Sequence, residues 1–192
     1  LYIFLRNNCC LLAIFIDMKR KRRRNNSGSA LNIIENEEPA FSQLREKWIL
    51  RILLKTKAHR DFLNCGDYND EHFIISLPSL NKINKDTTDQ EILDILRQRA
   101  KQIESENTPR NTKSTLIENV DKLGRKLRLS AVQKDLITFI ILVKGDESLS
   151  AVMDRTGELN TSNLIAVCSE VLGLSKNEVK DALVKESALV AS

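Results

Sequence analysis

The residues able to do chemistry are few and scattered. The two histidines, His59 and His72, lie in separate segments, and neither has a Cys or Glu at metal-ligand spacing or a nearby nucleophile. That pattern points to surface or capping roles rather than to zinc binding or proton transfer. The four cysteines are Cys9, Cys10, Cys65 and Cys168; they form neither a zinc spacing nor a disulfide framework, which favours a reducing, cytoplasmic setting. Carboxylates stand in pairs at Asp70 with Glu71 and at Asp146 with Glu147. Each pair falls where a helix is expected to begin, and acidic side chains there stabilise the helix dipole by about 0.3–1 kcal/mol, so no acid/base role is needed to explain them. Glycine occurs only at 28, 66, 124, 145, 157 and 173. No pair has the spacing of a phosphate-binding P-loop, and a dinucleotide fingerprint and a Gly-x-Ser-x-Gly elbow are also absent. The expectation is therefore of no catalytic residue, no cofactor and no metal.

Groups that could hold a polyanion are more numerous. Lys19, Arg20, Lys21, Arg22, Arg23 and Arg24 form an unbroken basic run, suited to nucleic acid or anionic lipid. Lys47, Arg51 and Lys55 make a row at i+4 spacing, read as the solvated face of a helix. Near the C-terminus Lys176, Asn177 and Lys180 are residue types that read a major groove. Together with Lys185 they are set against Glu178, Asp181 and Glu186, and the three positive and three negative charges cancel.

The elements that must position these groups all read as helices. Leu164, Val167, Cys168, Val171 and Leu172 form one apolar stripe, Gly173 stops that helix, and Ser175 with Glu178 caps the next, whose inward residues are Val179, Ala182 and Leu183. Two helices meeting at so short a turn spell a helix-turn-helix. Upstream, Pro39 opens a helix to about Lys57 with Phe41, Leu44, Trp48, Ile49, Ile52 and Leu53 on its apolar face. A short helix spans about Asp70 to Leu77 and is ended by Pro78. Thr88 and Glu91 cap a helix carrying Ile92, Leu93, Leu96, Ala100 and Ile103 to about Ser105. After a polar stretch around Pro109, Leu116, Val120, Leu123 and Leu127 stripe one helix, and Ser130 with Gln133 caps another. That second helix, from Ala131 to about Lys144, is apolar nearly all round and is expected to be the buried centre of the second half. A shorter helix bearing Leu149, Val152 and Met153 follows, ending near Gly157.

Composition agrees with this reading. In 192 residues there are only six Gly and three Pro with 42% hydrophobic residues, which suits helical bundles better than turn-rich β folds. The net charge of +4 depends on the basic run: without those six residues, 24 basic residues face 26 acidic ones, so the body is not basic as a phosphate-binding surface would be. Leu1 to Ile16 is apolar but interrupted and shorter than the roughly 20 residues of a membrane span. Because the first Met is Met18, residues 1–17 are expected to be translated upstream sequence or a fragment end.

The expected organisation is a tail at 1–38, a helical subdomain at 39–106, and a second helical subdomain with the helix-turn-helix at 107–192. The fold class is all-α, a helical bundle whose C-terminal pair is winged-helix-like, with Ala188 to Ser192 beginning a wing strand that is cut short. From Phe41 onward the stretches Trp48–Leu53, Ala58–Leu63, Leu127–Leu136 and Val171–Leu183 follow one another in an order that resembles the N-terminal region of large bacterial AAA-family ATPases. It implies a regulatory or partner-binding segment, truncated before its ATPase module, that binds a protein partner or that missing module and contains no ATP-site residue. Residues 1–17 and the basic run depart from the family. The alternative is a winged-helix-like nucleic-acid-binding protein, with Lys176, Asn177 and Lys180 on the groove and the basic run as phosphate anchor.

Overall fold

The computed structural model describes residues 39–106, 115–157 and 160–184, which are helical throughout apart from short connections and contain no strand. The basic run, residues 1–17, the polar stretch around Pro109, Lys185 and the expected wing strand lie outside the described residues, as does the side chain of Phe41. No described helix is long and apolar enough to cross a membrane. Among the described residues, contacts divide the chain into two compact bodies, one from 39–106 with 146–157 and the other from 115–145 with 160–184.

The first body is built on α1, Pro39–Lys55. Around it lie α2 (His59–Asn64), α3 (Glu71–Ser76) and α4 (Asp89–Ser105), with two short 3-10 turns at Asp67–Asn69 and Pro78–Lys82. Trp48, Ile49, Leu50, Ile52 and Leu53 of α1 are all buried, so two faces of this helix are covered, and it serves as the body's core. Thr56 Oγ1 donates to the Ile52 carbonyl, and Lys57 takes a positive φ of 66°. The helix consequently ends at Lys55, earlier than its composition implies. Phe62 and Phe73 meet edge to face, centroids 4.9 Å apart, an arrangement that adds about 0.5–1.5 kcal/mol to the burial of two rings. Thr88 and Glu91 form the expected reciprocal capping box at the start of α4.

One helix leaves its sequence neighbours to join this body. The helix α7, Glu147–Asp154, packs on α1 and α3, although its position in the chain placed it in a second subdomain running unbroken from 107 to 192. Three polar contacts fix it there. Asp146 takes a salt bridge from Arg45 of α1 at 3.2 Å, Arg155 grips Asp67 with two 2.8 Å bonds, and Ser148 lies 2.7 Å from Ser76 of α3. Because Ser148 Oγ also donates to the His72 carbonyl at 2.8 Å and has one proton, Ser76 must be the donor in the serine pair.

The second body consists of α5 (Thr115–Leu127), α6 (Ala131–Gly145), α8 (Thr161–Leu172) and α9 (Lys176–Val184). The central element, α6, contacts each of the other three. Leu136, Phe139, Ile140, Leu142 and Val143 are buried, but Ile141 is 41% exposed, so the helix is not enclosed all round as its composition suggested. Ser130 and Gln133 cap it reciprocally, and Gln133 Nε2 also donates to the Ala182 carbonyl of α9. Between α8 and α9, Gly173 sits at φ 69°, where an L side chain would crowd the backbone. Leu174 N donates to the Ser169 carbonyl and Ser169 Oγ to the Leu174 carbonyl at 2.6 Å, so this one serine and its backbone clasp the turn. Ser175 and Glu178 then cap α9 as expected.

Candidate functional site

The groups singled out by the sequence do not converge on one place. Lys176, Asn177 and Lys180 all lie on the exposed face of α9. Glu178 and Asp181 are exposed on the same short helix, and Glu178 is committed to the cap, where the bonds from Ser175 hold its carboxyl below the ordinary range. Lys19 to Arg24 lie outside the described residues, so their relation to α9 is not part of the structure. The inward residues Val179, Ala182 and Leu183 are buried. The α8–α9 pair therefore has an apolar inner face and a mixed-charge outer one.

The histidines and cysteines behave as separate local features. His59 Nδ1 lies 3.0 Å from the Leu53 carbonyl, and since a carbonyl only accepts, this nitrogen carries the proton. His59 thereby covers one of the orphan carbonyls at the C-terminal end of α1. His72 rests against Phe73 at 4.4 Å, with its Nε2 buried and without a hydrogen-bond partner among the described residues. Cys65 is exposed, whereas Cys168 is buried on α8, where burial pushes its thiol up to about 12. Among the described residues no group of three or more His, Cys, Asp or Glu could hold a metal ion.

The carboxylate pairs divide by environment. Asp70 and Glu71 are exposed, and Asp70 makes no side-chain cap bond. Asp146 does cap its helix, accepting from Leu149 N at 2.7 Å, but it is only 5% exposed and its second oxygen faces Arg45. Two similar pairs stitch the first body. Arg99 of α4 holds Glu46 of α1 by two 2.7 Å bonds, and Arg155 holds Asp67. In each of these the acid is the buried partner, and the bidentate fork matches the guanidinium plane. These groups hold helices together and are consumed in doing so.

One surface of the first body combines an apolar floor with an ordered set of charges. Between α1 and α4 lies a partly open groove of about 360 Å³, lined by Leu50, Leu54, Ala100 and Ile103 and rimmed by Lys47, Arg51, Lys55, Lys101 and Glu104. Arg51 engages both oxygens of Glu104 at 2.5 and 2.8 Å, and Lys47 reaches one of them at 3.0 Å. These bonds hold the Glu104 carboxyl down at about 2, so it stays ionised. The basic row of α1 is thus not a merely solvated face: two of its three members clasp a carboxylate above a hydrocarbon trough. The row itself was visible in the sequence, but the acid that completes it lies 53 residues away from Arg51, and no periodicity links the two. Four basic residues and one acidic residue make up the charged part of its lining.

No family model matches the chain, and neither the curated proteins nor the solved structures contain a match to it.

Proposed function

We propose that this chain is a non-catalytic helical segment that binds a protein partner, resembling the region that precedes the ATPase module in bacterial AAA-family ATPases and working in a reducing, cytoplasmic setting. The groove between α1 and α4 carries the reading. Hydrocarbon floored by Leu50, Leu54 and Ile103 beneath a charged rim is the arrangement by which a helical surface takes up an apolar-anchored segment of another protein. The polar groups of the same body are already spent on one another in the Arg45–Asp146, Arg99–Glu46 and Arg155–Asp67 pairs, which supports a connecting role over a chemical one.

A second reading, a winged-helix-like module that binds nucleic acid through a helix-turn-helix, is favoured by one observation: Lys176, Asn177 and Lys180 are all exposed on α9. The two readings separate in an anisotropy titration with labelled duplex DNA at low and moderate salt. The partner-binding reading expects weak, sequence-indifferent association that salt suppresses and that disappears when residues 19–24 are removed. Sequence-preferring binding that survives that removal and is lost in the triple variant K176A/N177A/K180A would sink it.

A further inference from the structure

The second body has a surface of its own on the helix α5, which packs chiefly on α6. Val120 and Gly124 are buried, the Lys134 stem of α6 crosses Gly124, and its ammonium reaches Asp121 at 2.9 Å. The apolar stripe of α5 is wider than this contact. Leu116, Leu123 and Leu127, which share a face at i, i+7 and i+11, are only half-buried. A short turn joins α5 to α6, so the two helices run antiparallel. Ile141, two turns beyond Lys134 on the same face of α6, therefore stands level with the start of α5, and it is 41% exposed. Lys126, one turn beyond Leu123, and Lys122, one turn before Lys126, form an exposed basic edge to the stripe. We propose that this face docks an acidic amphipathic helix of a protein partner, its apolar side chains on Leu116, Leu123, Leu127 and Ile141 and its carboxylates on Lys122 and Lys126. The inference rests on the partner-binding reading and adds a second surface to it.

Charge decides the sign of the partner. From Lys122 to Lys134 the chain has five basic residues and no acidic one. Two of the five share Asp121: Lys134 chiefly, and Arg125 to a lesser degree, hold its carboxyl below the ordinary range. Lys122, Lys126 and Arg128 are exposed and form no ion pair among the described residues. The helix dipole favours cations in a last turn, which accounts for Arg125 and Lys126 but not for Lys122, a turn earlier, or Arg128, beyond the end. Glu118 lies in the first turn, so the C-terminal half of α5 is the positive one. A phosphate backbone would use these cations but not the hydrocarbon beside them, and a bilayer needs leucines free to sink into it, whereas these are half-buried. A helix with leucines at i, i+3 and i+7 and glutamates beside them matches both the strip and its edge.

The full chain, isotope-labelled, is titrated with two synthetic helical peptides of identical leucine pattern, one flanked by Glu and the other by Lys, and followed by backbone chemical shifts and by anisotropy. The acidic peptide is expected to bind about tenfold more tightly than the basic one, with shifts concentrated on α5 and around Ile141. The double variant K122E/K126E is expected to weaken it about tenfold and the milder K122Q/K126Q about threefold. Ile141→Gln, which removes the exposed apolar anchor, is expected to weaken it about fivefold. K176E/K180E makes the same charge change on α9 of the same body and is expected to leave affinity within about twofold. Lys122 and Lys126 are exposed, and an unchanged thermal melt of K122Q/K126Q confirms that the effect is local. Equal affinity for both peptides, shifts centred on α1 and α4 or on α9, an equal loss in K176E/K180E, or displacement of the acidic peptide by short duplex DNA or anionic vesicles at moderate salt would each overturn the proposal. Failure here leaves the broader reading standing; that reading falls on the sequence-preferring DNA result alone.

Discussion

The buried pair between Arg45 and Asp146 gives a test in which two contributions of one side chain are separated. Asp146 caps α7 through one oxygen and faces the guanidinium of Arg45 with the other, and the two side chains are only 8% and 5% exposed. Replacing Asp146 with Ser keeps an oxygen able to cap and removes the carboxylate, while replacing it with Ala removes both. Withdrawing one partner of a buried ion pair costs roughly 3–5 kcal/mol, and a single contact at 3.2 Å belongs at the low end of that range. The expectation for D146S is therefore a loss of about 3 kcal/mol, and for D146A about 1 kcal/mol more through the missing cap. The assay is urea unfolding followed by tryptophan fluorescence. Trp48 is the only tryptophan of the chain; it is buried and belongs to the same body as Arg45 and Asp146. Its signal therefore reports that body's transition rather than the other's. A companion R45M variant completes a cycle, in which a coupling of about 1.5 kcal/mol or more between the two sites is expected. The reasoning is refuted if D146S lies within about 0.5 kcal/mol of the parent, or if D146S and D146A are equally stable.

Three further outcomes follow from local geometry. Glu104 titrates at about 2 in the folded chain against an ordinary value of 4.5; its contribution is complete above pH 4.5 and lost as pH falls towards 2, about 1 kcal/mol after allowing for solvent screening. Stability curves of the parent should fall more steeply than those of E104Q across that window, and parallel curves would contradict the assignment. Gly173→Ala, at φ 69°, should lower the stability of the second body by about 1 kcal/mol, seen in an earlier loss of helical circular dichroism on denaturation. Mass spectrometry after iodoacetamide should find Cys65 modified and Cys168 untouched until denaturant is added, because one thiol is exposed and the other buried with its proton held to about 12.

Local signals were legible in the sequence and long-range ones were not. Thr88 with Glu91, Ser130 with Gln133 and Ser175 with Glu178 each form the reciprocal caps that three-residue spacing implies, because both partners of a cap lie within one turn of chain. Gly173 likewise takes the left-handed conformation its position after an apolar stripe demands. The helix α7 was visible as a helix but not as a member of the first body. Its partners Arg45, Asp67 and Ser76 are 101, 88 and 72 residues distant from the groups they bond, and an amphipathic pattern states that a face is buried without stating against what. The groove was hidden for the same reason: Lys47 and Arg51 look solvated until Glu104 is brought over from α4. Ile141 shows the converse, an apolar residue on the central helix that packing leaves open.

The return of α7 to the first body has a consequence for biosynthesis. A nascent chain emerges from the ribosome in order, and by residue 106 the first body has received everything it needs except the stretch from 146 to 157. At roughly 5–20 residues per second, it waits a few seconds with the α7 side of α1 uncovered. During that interval Arg45 lacks the carboxylate of Asp146, and Ser76 lacks Ser148. The helices α5 and α6 emerge in the meantime, before α8 and α9 exist to cover them. The two bodies thus mature out of step with the order of synthesis, and a stalled or cleaved chain ending before Gly157 would display the unfinished surface of α1 to whatever chaperone or protease is nearby.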